Sequence, residues 1–272
     1  MRARPLLVAV VLLAFAFAPL LAAIPQPAFA AVSCGDTLTT STTLTSSIGP
    51  CPGNGITIGS DGVTLNCTGQ SVSGPSASAA PTTYGIDLAG VKGVTVENCN
   101  VVGFTVAFEL SGSSNDLLKG NTATDSGEGF SLYLSDGNRV TNDYAEGGGN
   151  GIGFSVSSSS GNTIARDMVS LVTDGFNVVG RSSDNTIDWN AVSAYLDYGF
   201  LDMTTGSHTS GTANIYSSDA CLNFLNRILS SPSGLCSPNV PITPEFPLGI
   251  TLVFVLLIPL LLMLRRSNAR HG

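Results

Sequence analysis

The central part of the chain repeats a step from Gly or Ala to a large apolar residue every 22–24 residues. A second column of Asn-x-aliphatic triplets, starting at Asn115, Asn138, Asn162 and Asn185, keeps the same spacing. Two columns with one period indicate a single supersecondary unit repeated along the chain, and therefore a solenoid. The Gly or Ala steps are Gly85-Ile86, Ala107-Phe108, Gly129-Phe130, Gly151-Ile152, Gly175-Phe176 and Gly199-Phe200.

Each step opens a short stretch in which apolar and polar residues alternate, and this period of two is typical of β-strands. Clusters of small residues such as 157–162 then interrupt the stretch as turns. A repeat of this length, with two or three short strands and no helix, matches one coil of a parallel β-helix. The sequence predicts an all-β parallel β-helix of about 7–8 coils over residues 55–205. An N-terminal cap (31–54) and a C-terminal cap (206–237) are expected to flank it.

Stacked coils lie ~4.8 Å apart, so equivalent apolar side chains should form ladders inside the solenoid. Asp202 falls where the second ladder would continue, so the regular core is expected to end there. The first predicted ladder is Ile86, Phe108, Phe130, Ile152, Phe176 and Phe200, and the second is Leu88, Leu110, Leu132, Phe154 and Val178.

The two ends of the chain predict where the protein resides. A basic start, an apolar run and a small-x-small pattern predict a signal peptide over residues 1–30, with a retained N-terminal anchor as the alternative. After a linker (238–245), residues 246–264 carry no charge and are long enough to cross a bilayer, and the tail 265–272 is basic. We therefore expect residues 31–245 on the outer face of the membrane and the C-terminus in the cytoplasm.

The expected outer segment is strongly acidic and contains every cysteine. It holds all 19 acidic residues against six basic ones, a net charge of −13, which excludes a nucleic-acid partner. Six cysteines in an oxidising compartment allow fifteen pairings. We favour pairing of neighbours, while Cys67 and Cys99 as unpaired apolar ladder residues remain an alternative. The favoured pairs are Cys34–Cys51, Cys67–Cys99 and Cys221–Cys236.

The stretch 34–236 resembles the secreted right-handed parallel β-helix proteins with NosD-like repeats. The resemblance rests on Cys34-Gly35, on Gly62-Val63-Thr64-Leu65-Asn66-Cys67-Thr68-Gly69, on the coils, and on Ser231-Pro232-Ser233-Gly234-Leu235-Cys236. It implies the right-handed fold and leaves the activity open. The copper association in the family's name has little support here, since His208 is the only histidine of the outer segment.

The C-terminal segment is similar to the PEF-type sorting signals of archaeal surface proteins. Pro244, Glu245 and Phe246 precede the hydrophobic span, and Arg265-Arg266 follow it. The resemblance implies that a sortase-like peptidase cuts near the motif and attaches the product to the cell surface. A Pro-rich linker before a permanent anchor is the alternative.

Two groups of acidic residues are candidates for chemistry. Asp143 and Asp167 are predicted to lie one coil apart beside Arg166, a spacing that suits retaining glycoside chemistry, although solvated surface carboxylates are the alternative. Glu128 and Asp174, from a column that also contains Asn150 and Tyr198, are weak candidates for Ca²⁺ binding, and no other cofactor is expected.

Aromatic residues suggest a place for sugar binding. Trp189 falls in a column with Lys119, Asn142 and Arg166, all polar, so its ring is expected to face water. Tyr195, Tyr198, Asp188 and Asp197 follow or flank it, and rings beside carboxylates suit sugar stacking. The alternative is that Trp189 covers the edge of the last coil.

The sequence thus predicts a membrane-anchored cell-surface β-helix protein that is not an enzyme. Its expected partners are cell-envelope glycans or surface-layer proteins, and its roles are glycan binding, adhesion or surface-layer association. The alternative is a polysaccharide-active lyase, hydrolase or epimerase with carboxylates on the β-helix face.

Overall fold

The computed structural model describes residues 31–78, 81–147, 151–222 and 228–238. In these residues the chain forms a parallel β-helix with three sheets, and no α-helix occurs apart from a 3₁₀ turn at Thr209–Gly211. Seven complete coils follow one another, each contributing one strand to each sheet. This confirms the predicted fold class and the number of coils.

The three sheets run along the stack of coils. Sheet 1 consists of β1 (Asp36–Leu38), β3 (Ile56–Ile58), β6 (Tyr84–Ala89), β9 (Val106–Ser111), β12 (Glu128–Tyr133), β15 (Ile152–Ser157), β18 (Asp174–Val179), β21 (Tyr198–Asp202) and β24 (Ile228–Ser231). Sheet 2 consists of β2 (Thr42–Thr43), β4 (Thr64–Asn66), β7 (Thr95–Glu97), β10 (Leu117–Lys119), β13 (Arg139–Thr141), β16 (Thr163–Ala165), β19 (Thr186–Asp188) and β22 (Ile215–Ser217). Sheet 3 consists of β5 (Ser71–Ser73), β8 (Asn100–Val102), β11 (Thr122–Thr124), β14 (Tyr144–Glu146), β17 (Met168–Ser170), β20 (Ala191–Ser193) and β23 (Ala220–Leu222).

A column of stacked aromatic rings fills the interior behind sheet 1. Neighbouring rings lie 4.6–4.7 Å apart and within 10° of parallel, and all are fully buried. Phe154 pairs with Phe130 and Phe176, so the predicted place of Ile152 in this ladder is wrong. Ile152 lies two residues earlier and is only half-buried. The stacked rings are Phe108, Phe130, Phe154, Phe176 and Phe200.

The second interior ladder contains Val156 where the sequence predicts Phe154. The ladder ends in Asp202, as predicted, because Asp202 pairs with Val178. Its buried carboxylate accepts hydrogen bonds from Tyr216 Oη at 2.8 Å and Asn214 Nδ2 at 3.0 Å. A polar cluster therefore replaces the apolar ladder at this end. The stack itself continues, since β22, β23 and β24 extend all three sheets into the predicted C-terminal cap.

Glycine near the start of most sheet 1 strands permits close packing at the corner of the coil, while Ala107 occupies the equivalent position in β9. At Gly153, a Cβ atom would lie 2.4 Å from Val169 Cγ1 and 2.6 Å from the carbonyl oxygen of Gly175. No side chain fits at either distance, so this position requires glycine. Strand register makes Gly153, rather than Gly151, the equivalent of Gly129 and Gly175, because Phe154 pairs with Phe130 and Phe176.

Three disulfide bonds join the cysteine pairs favoured from the sequence, Cys34–Cys51, Cys67–Cys99 and Cys221–Cys236. The alternative of two unpaired ladder cysteines is therefore wrong. Disulfides form and persist in oxidising compartments, which indicates a location outside the cytosol.

Several predicted segments lie outside the described residues. They are the signal peptide (1–30), most of the linker with Pro244, Glu245 and Phe246, the hydrophobic span (246–264) and the tail (265–272). Within the described ranges, no helix has the length and apolar character needed to cross a membrane.

Candidate functional site on the outer face of sheet 1

Sheet 1 turns alternate side chains away from the core, and these make a mixed polar and aromatic surface. Its middle is a continuous column of polar side chains, one from each successive strand. Strand pairing spaces them ~4.8 Å apart along the solenoid axis. The column is Thr57, Asp87, Glu109, Ser131, Ser155 and Asn177, and we call it the central polar column.

Glu109 is the most perturbed side chain of this column. It is only 8% exposed, and burial raises its pKa to about 7, with further contributions from the charges of Glu128 and Asp87. A hydrogen bond with the Ser131 hydroxyl opposes this rise. Glu128 contacts the hydroxyls of Ser131 and Ser155, and burial also raises the pKa values of Glu128 and Asp87. Glu109 can therefore hold or release a proton near neutral pH.

Aromatic residues flank the central polar column. Tyr84 and Tyr198 stand at the start of their strands and are half-buried, while Tyr133 at the end of β12 is 48% exposed. Leu134 follows Tyr133, is 54% exposed and has a positive φ of 50°. The exposed pair Tyr133-Leu134 thus offers an apolar surface beside the polar column.

The insertion between β5 and β6 borders the same face. A Cβ atom at Gly127 would lie 3.4 Å from the carbonyl oxygen of Ala77, so this loop reaches the start of β12 two coils further along. Glu128 is the first residue of that strand. The described part of the loop therefore approaches the residue that precedes Glu128.

Two further polar columns lie inside the coils, at the turns on either side of sheet 2. In each, the side-chain Oδ1 atom accepts a hydrogen bond from the backbone N–H of the equivalent residue one coil earlier, at 2.6–3.1 Å. The first polar ladder is Asp116, Asn138, Asn162, Asn185 and Asn214, and the second polar ladder is Asn121, Asp143, Asp167, Asn190 and Asp219. Asp116, and not Asn115, is therefore the member of the first ladder.

The predicted catalytic carboxylates belong to the second polar ladder. Asp143 and Asp167 do lie one coil apart, and the Asp143 N–H donates to Asp167 Oδ1 at 2.7 Å. Both side chains are buried, at 2% and 0% exposure, and burial raises both pKa values. They cannot reach a polysaccharide, so the predicted surface site with Arg166 is wrong. Arg166 itself occupies the exposed turn between β16 and β17.

The predicted aromatic patch is not assembled either. Trp189 is 40% exposed, as expected, but lies at the turn between sheets 2 and 3. Tyr195 is 2% exposed, and Tyr198 stands on sheet 1. Asp188, at the end of a sheet 2 strand, accepts a hydrogen bond from Ser217, and Asp197 is exposed in the turn before β21.

The backbone also corrects the column that contains Trp189. The corresponding turn residues, all with positive φ, are Asn98, Gly120, Asn142, Arg166, Trp189 and Ser218, so Lys119 is not a member. The Trp189 ring nevertheless remains exposed at this turn.

The Ca²⁺ candidates share a column of sheet 1, but Ile152 lies between Glu128 and Asp174. The predicted column member Asn150 lies outside the described residues. In the described part of the chain, no group of three or more His, Cys, Asp or Glu side chains is arranged to hold a metal.

The central polar column was missed in the sequence, although a signal for it exists. Asp87 and Glu109 follow the ladder residues Ile86 and Phe108 directly, and alternation along a strand turns the next side chain outward. The same rule applied to each repeat yields Ser131, Ser155 and Asn177 once the register of β15 is known.

The family model described as "Periplasmic copper-binding protein (NosD)" matches residues 28–218. The chain belongs to the NosD family. No curated protein matches this NosD-family chain.

Solved structures similar to the NosD-family chain include catalytic domains of GH87 α-1,3-glucanase. A variant in complex with tetrasaccharides has a TM-score of 0.54 at 19% identity, covering 70% of this chain and 40% of that one. The glucanase in complex with nigerose has a TM-score of 0.47, with the same identity and coverage. The chain thus spans less than half of these glucanase chains, and at this identity the likeness concerns the fold.

The family's name raises the question of copper. In the described residues all six cysteines form disulfides. His208 Nε2 lies 3.2 Å from Asp184 Oδ1, while Met168 is buried in sheet 3 and Met203 is 67% exposed. Copper sites require several imidazole, thiolate or thioether ligands in one place. The described residues do not fit a copper centre.

Proposed function

We propose that this NosD-family protein binds neutral polysaccharide along the outer face of sheet 1. The observation that carries the proposal is the central polar column, which offers a hydrogen-bonding group at every ~4.8 Å step beside the exposed ring of Tyr133. Sugar rings combine an apolar face with hydroxyl edges, and this surface presents both complements.

The charge of this face favours a neutral ligand. Asp87, Glu109, Glu128 and Asp174 project from sheet 1, and none of the described Lys or Arg residues lies on the sheet 1 strands from β6 to β21. A uronate or sulfated glycan would meet like charges at close range, whereas a neutral glucan would meet acceptors for its hydroxyl groups. The protein's net charge of −8 also disfavours an anionic ligand.

We further propose that the protein is secreted and folds as a right-handed β-helix. Residues 246–264 anchor it at the outer face of the cell membrane, and the tail lies in the cytoplasm. Glycans of the cell envelope or surface-layer proteins would then be its partners, and a sortase-like peptidase would process the Pro244-Glu245-Phe246 motif. The disulfides and the NosD family support an extracytosolic location. Protease digestion of intact cells should remove the β-helix and spare a short C-terminal fragment.

We expect Tyr133→Ala to weaken glycan binding about tenfold, because stacking on an aromatic ring contributes roughly 1–1.5 kcal/mol. The measurement is affinity electrophoresis or calorimetry of the full-length chain against neutral and anionic polysaccharides, with and without Ca²⁺. Trp189→Ala is the matched control, since it removes an exposed ring at another corner. Loss of binding in Trp189→Ala alone would move the site to that corner, with Asp188 as its neighbour.

Glu109 supports a second candidate, a glycoside hydrolase on the same face. It pairs with Asp87 on the neighbouring strand, and its pKa of about 7 lets it donate a proton near neutral pH. Retaining hydrolases use two carboxylates ~5–5.5 Å apart, close to the spacing of adjacent strands.

If the protein hydrolyses glycans, Glu109→Gln should reduce turnover by about 10²–10⁴-fold, because it removes the general acid while preserving shape. Product release from neutral glucans is measured by mass spectrometry. Asp143→Asn, which changes a buried carboxyl, should leave turnover within a factor of about two. Absence of any shortened product at acidic and neutral pH would leave the binding function alone.

A further inference from the structure

The two polar ladders use asparagine in one consistent way. Every described asparagine of the ladders accepts the N–H of the coil before it through Oδ1 and donates its Nδ2 to a backbone carbonyl of that coil. The amide-to-carbonyl distances are 2.8–3.3 Å. The donor and acceptor pairs are Asn121 and Val96, Asn138 and Ser113, Asn162 and Ser135, Asn185 and Ser159, Asn190 and Ile164, and Asn214 and Ser182.

Four ladder positions hold aspartate instead, and three of them share one arrangement. Asp116, Asp167 and Asp219 keep the first half of this pattern, since their Oδ1 atoms accept backbone N–H groups at 2.7–2.8 Å. Their Oδ2 atoms are buried and have no hydrogen-bond partner. By strand register, the carbonyl groups equivalent to those that the asparagines bind belong to Val91, Val140 and Ile187.

Asp143 differs from these three. Its Oδ1 accepts the N–H of Asn121 at 2.6 Å, and its Oδ2 accepts the N–H of Thr141 at 3.0 Å. Both oxygens are therefore satisfied as acceptors, while burial still raises the pKa of Asp143 to about 8. Two adjacent buried carboxylates cannot both ionise readily, so the proton of this pair belongs on Asp167.

We infer that Asp116, Asp167 and Asp219 are protonated in the folded protein and that each carboxylic acid donates its O–H to the backbone carbonyl of the preceding coil. A carboxylate has no hydrogen to donate, and its unpaired oxygen would face a carbonyl oxygen in a buried site. A neutral acid reproduces the hydrogen bonds of asparagine. The β-helix is thus built to be most stable in acidic surroundings and to lose stability as the pH rises.

Most of the charged groups around these three aspartates also raise their pKa values. Burial is the largest cause at all three, raising the pKa of Asp116 to about 6 with help from Asp61. Asp143 and Asp219 raise the pKa of Asp167 further while Arg139 lowers it, and Asp188 raises that of Asp219. Hydrogen bonds lower all three pKa values without cancelling the effect of burial. The donors are the N–H groups of Val94 and Gly93 at Asp116, the N–H of Asp143 at Asp167, and the N–H and side-chain amide of Asn190 with the N–H of Ser217 at Asp219.

The sign of the pH dependence follows from proton linkage. Each acid has a pKa in the folded state above its unfolded value of 3.8, so its contribution is complete below about pH 4. It is lost as the pH rises through the folded-state pKa. Over that window the unfolding equilibrium constant should rise about tenfold per pH unit for each acid.

The test compares the full-length protein with the triple variant Asp116→Asn, Asp167→Asn, Asp219→Asn in urea unfolding from pH 4 to pH 9. Asparagine supplies the donor at every pH, so the steep loss of stability with rising pH should flatten, and the variant should be the more stable protein at pH 8. The control replaces the exposed Asp125 and Asp197 by asparagine and should keep the slope of the wild type.

Infrared spectroscopy provides a second readout that does not depend on stability. The carbonyl stretch of a protonated carboxylic acid should be present in the wild type at pH 6 and weaker in the triple variant. An unchanged pH slope in the triple variant, or the absence of this band from the wild type at pH 6, would overturn the inference.

Discussion

Replacing Phe154 with Ala is expected to lower the free energy of unfolding by about 3–5 kcal/mol, because it opens a cavity in the aromatic column. The Phe154 ring lies 4.7 Å from both the Phe130 and the Phe176 rings and is fully buried. The cavity would therefore interrupt the stack in its middle, where neighbouring coils cannot collapse without breaking strand pairing. Urea denaturation of the full-length chain measures the loss.

Ile152→Ala is the matched control for this prediction. Ile152 is the large apolar residue two positions earlier, but it is only half-buried. Its truncation should cost about 1 kcal/mol or less. Equal losses at the two positions would mean that β15 is shifted by two residues relative to its neighbours.

Replacing Asn162 with Leu is expected to destabilise the protein by about 2–6 kcal/mol, since two buried backbone groups lose their partners. Asn162 Oδ1 accepts the N–H of Asn138 at 2.7 Å, and its Nδ2 donates to the carbonyl of Ser135 at 2.9 Å. Leucine has nearly the same shape and satisfies neither group. The side chain is 1% exposed, so water cannot replace the lost hydrogen bonds.

Asn162→Asp separates the role of the amide from that of its shape. A neutral aspartic acid can both accept and donate, so this variant should approach wild-type stability near pH 4. At pH 8 it should resemble Asn162→Leu, because ionisation removes the donor and buries a charge. Thermal unfolding at the two pH values measures the difference, and a pH-independent Asn162→Asp would contradict this role of the ladder.

The fold could be predicted because the repeat is encoded twice, in the apolar steps and in the turn residues. The exact register could not, because Gly151-Ile152 and Gly153-Phe154 are both acceptable Gly-apolar steps. The choice between them depends on the contact of Phe154 with the Phe130 and Phe176 rings of the neighbouring coils. Such a tertiary contact is not visible in the alternation of a single strand.

The site was predicted less well, for a related reason. A polar residue in a turn usually faces water, so Asp143 and Asp167 were expected on the surface. In this solenoid the turn directs them inward, where the unpaired N–H of the neighbouring coil requires an acceptor. Tyr195 is likewise buried at the corner before β21, and only the assembled coils reveal this.

The positions of the disulfides have a consequence for how the solenoid comes apart. Coils contact only their immediate neighbours, so an array of this kind loses structure from its free ends, as a zipper does. Two disulfides, Cys34–Cys51 and Cys67–Cys99, lie at the N-terminal end of the solenoid, and the third, Cys221–Cys236, lies at the C-terminal end. The coils between them carry no disulfide. The disulfides thus hold together the terminal coils, which would otherwise open first. We expect reduction to leave the middle coils paired while fraying begins at both ends, so that the cysteines set the boundaries of the cooperative unit.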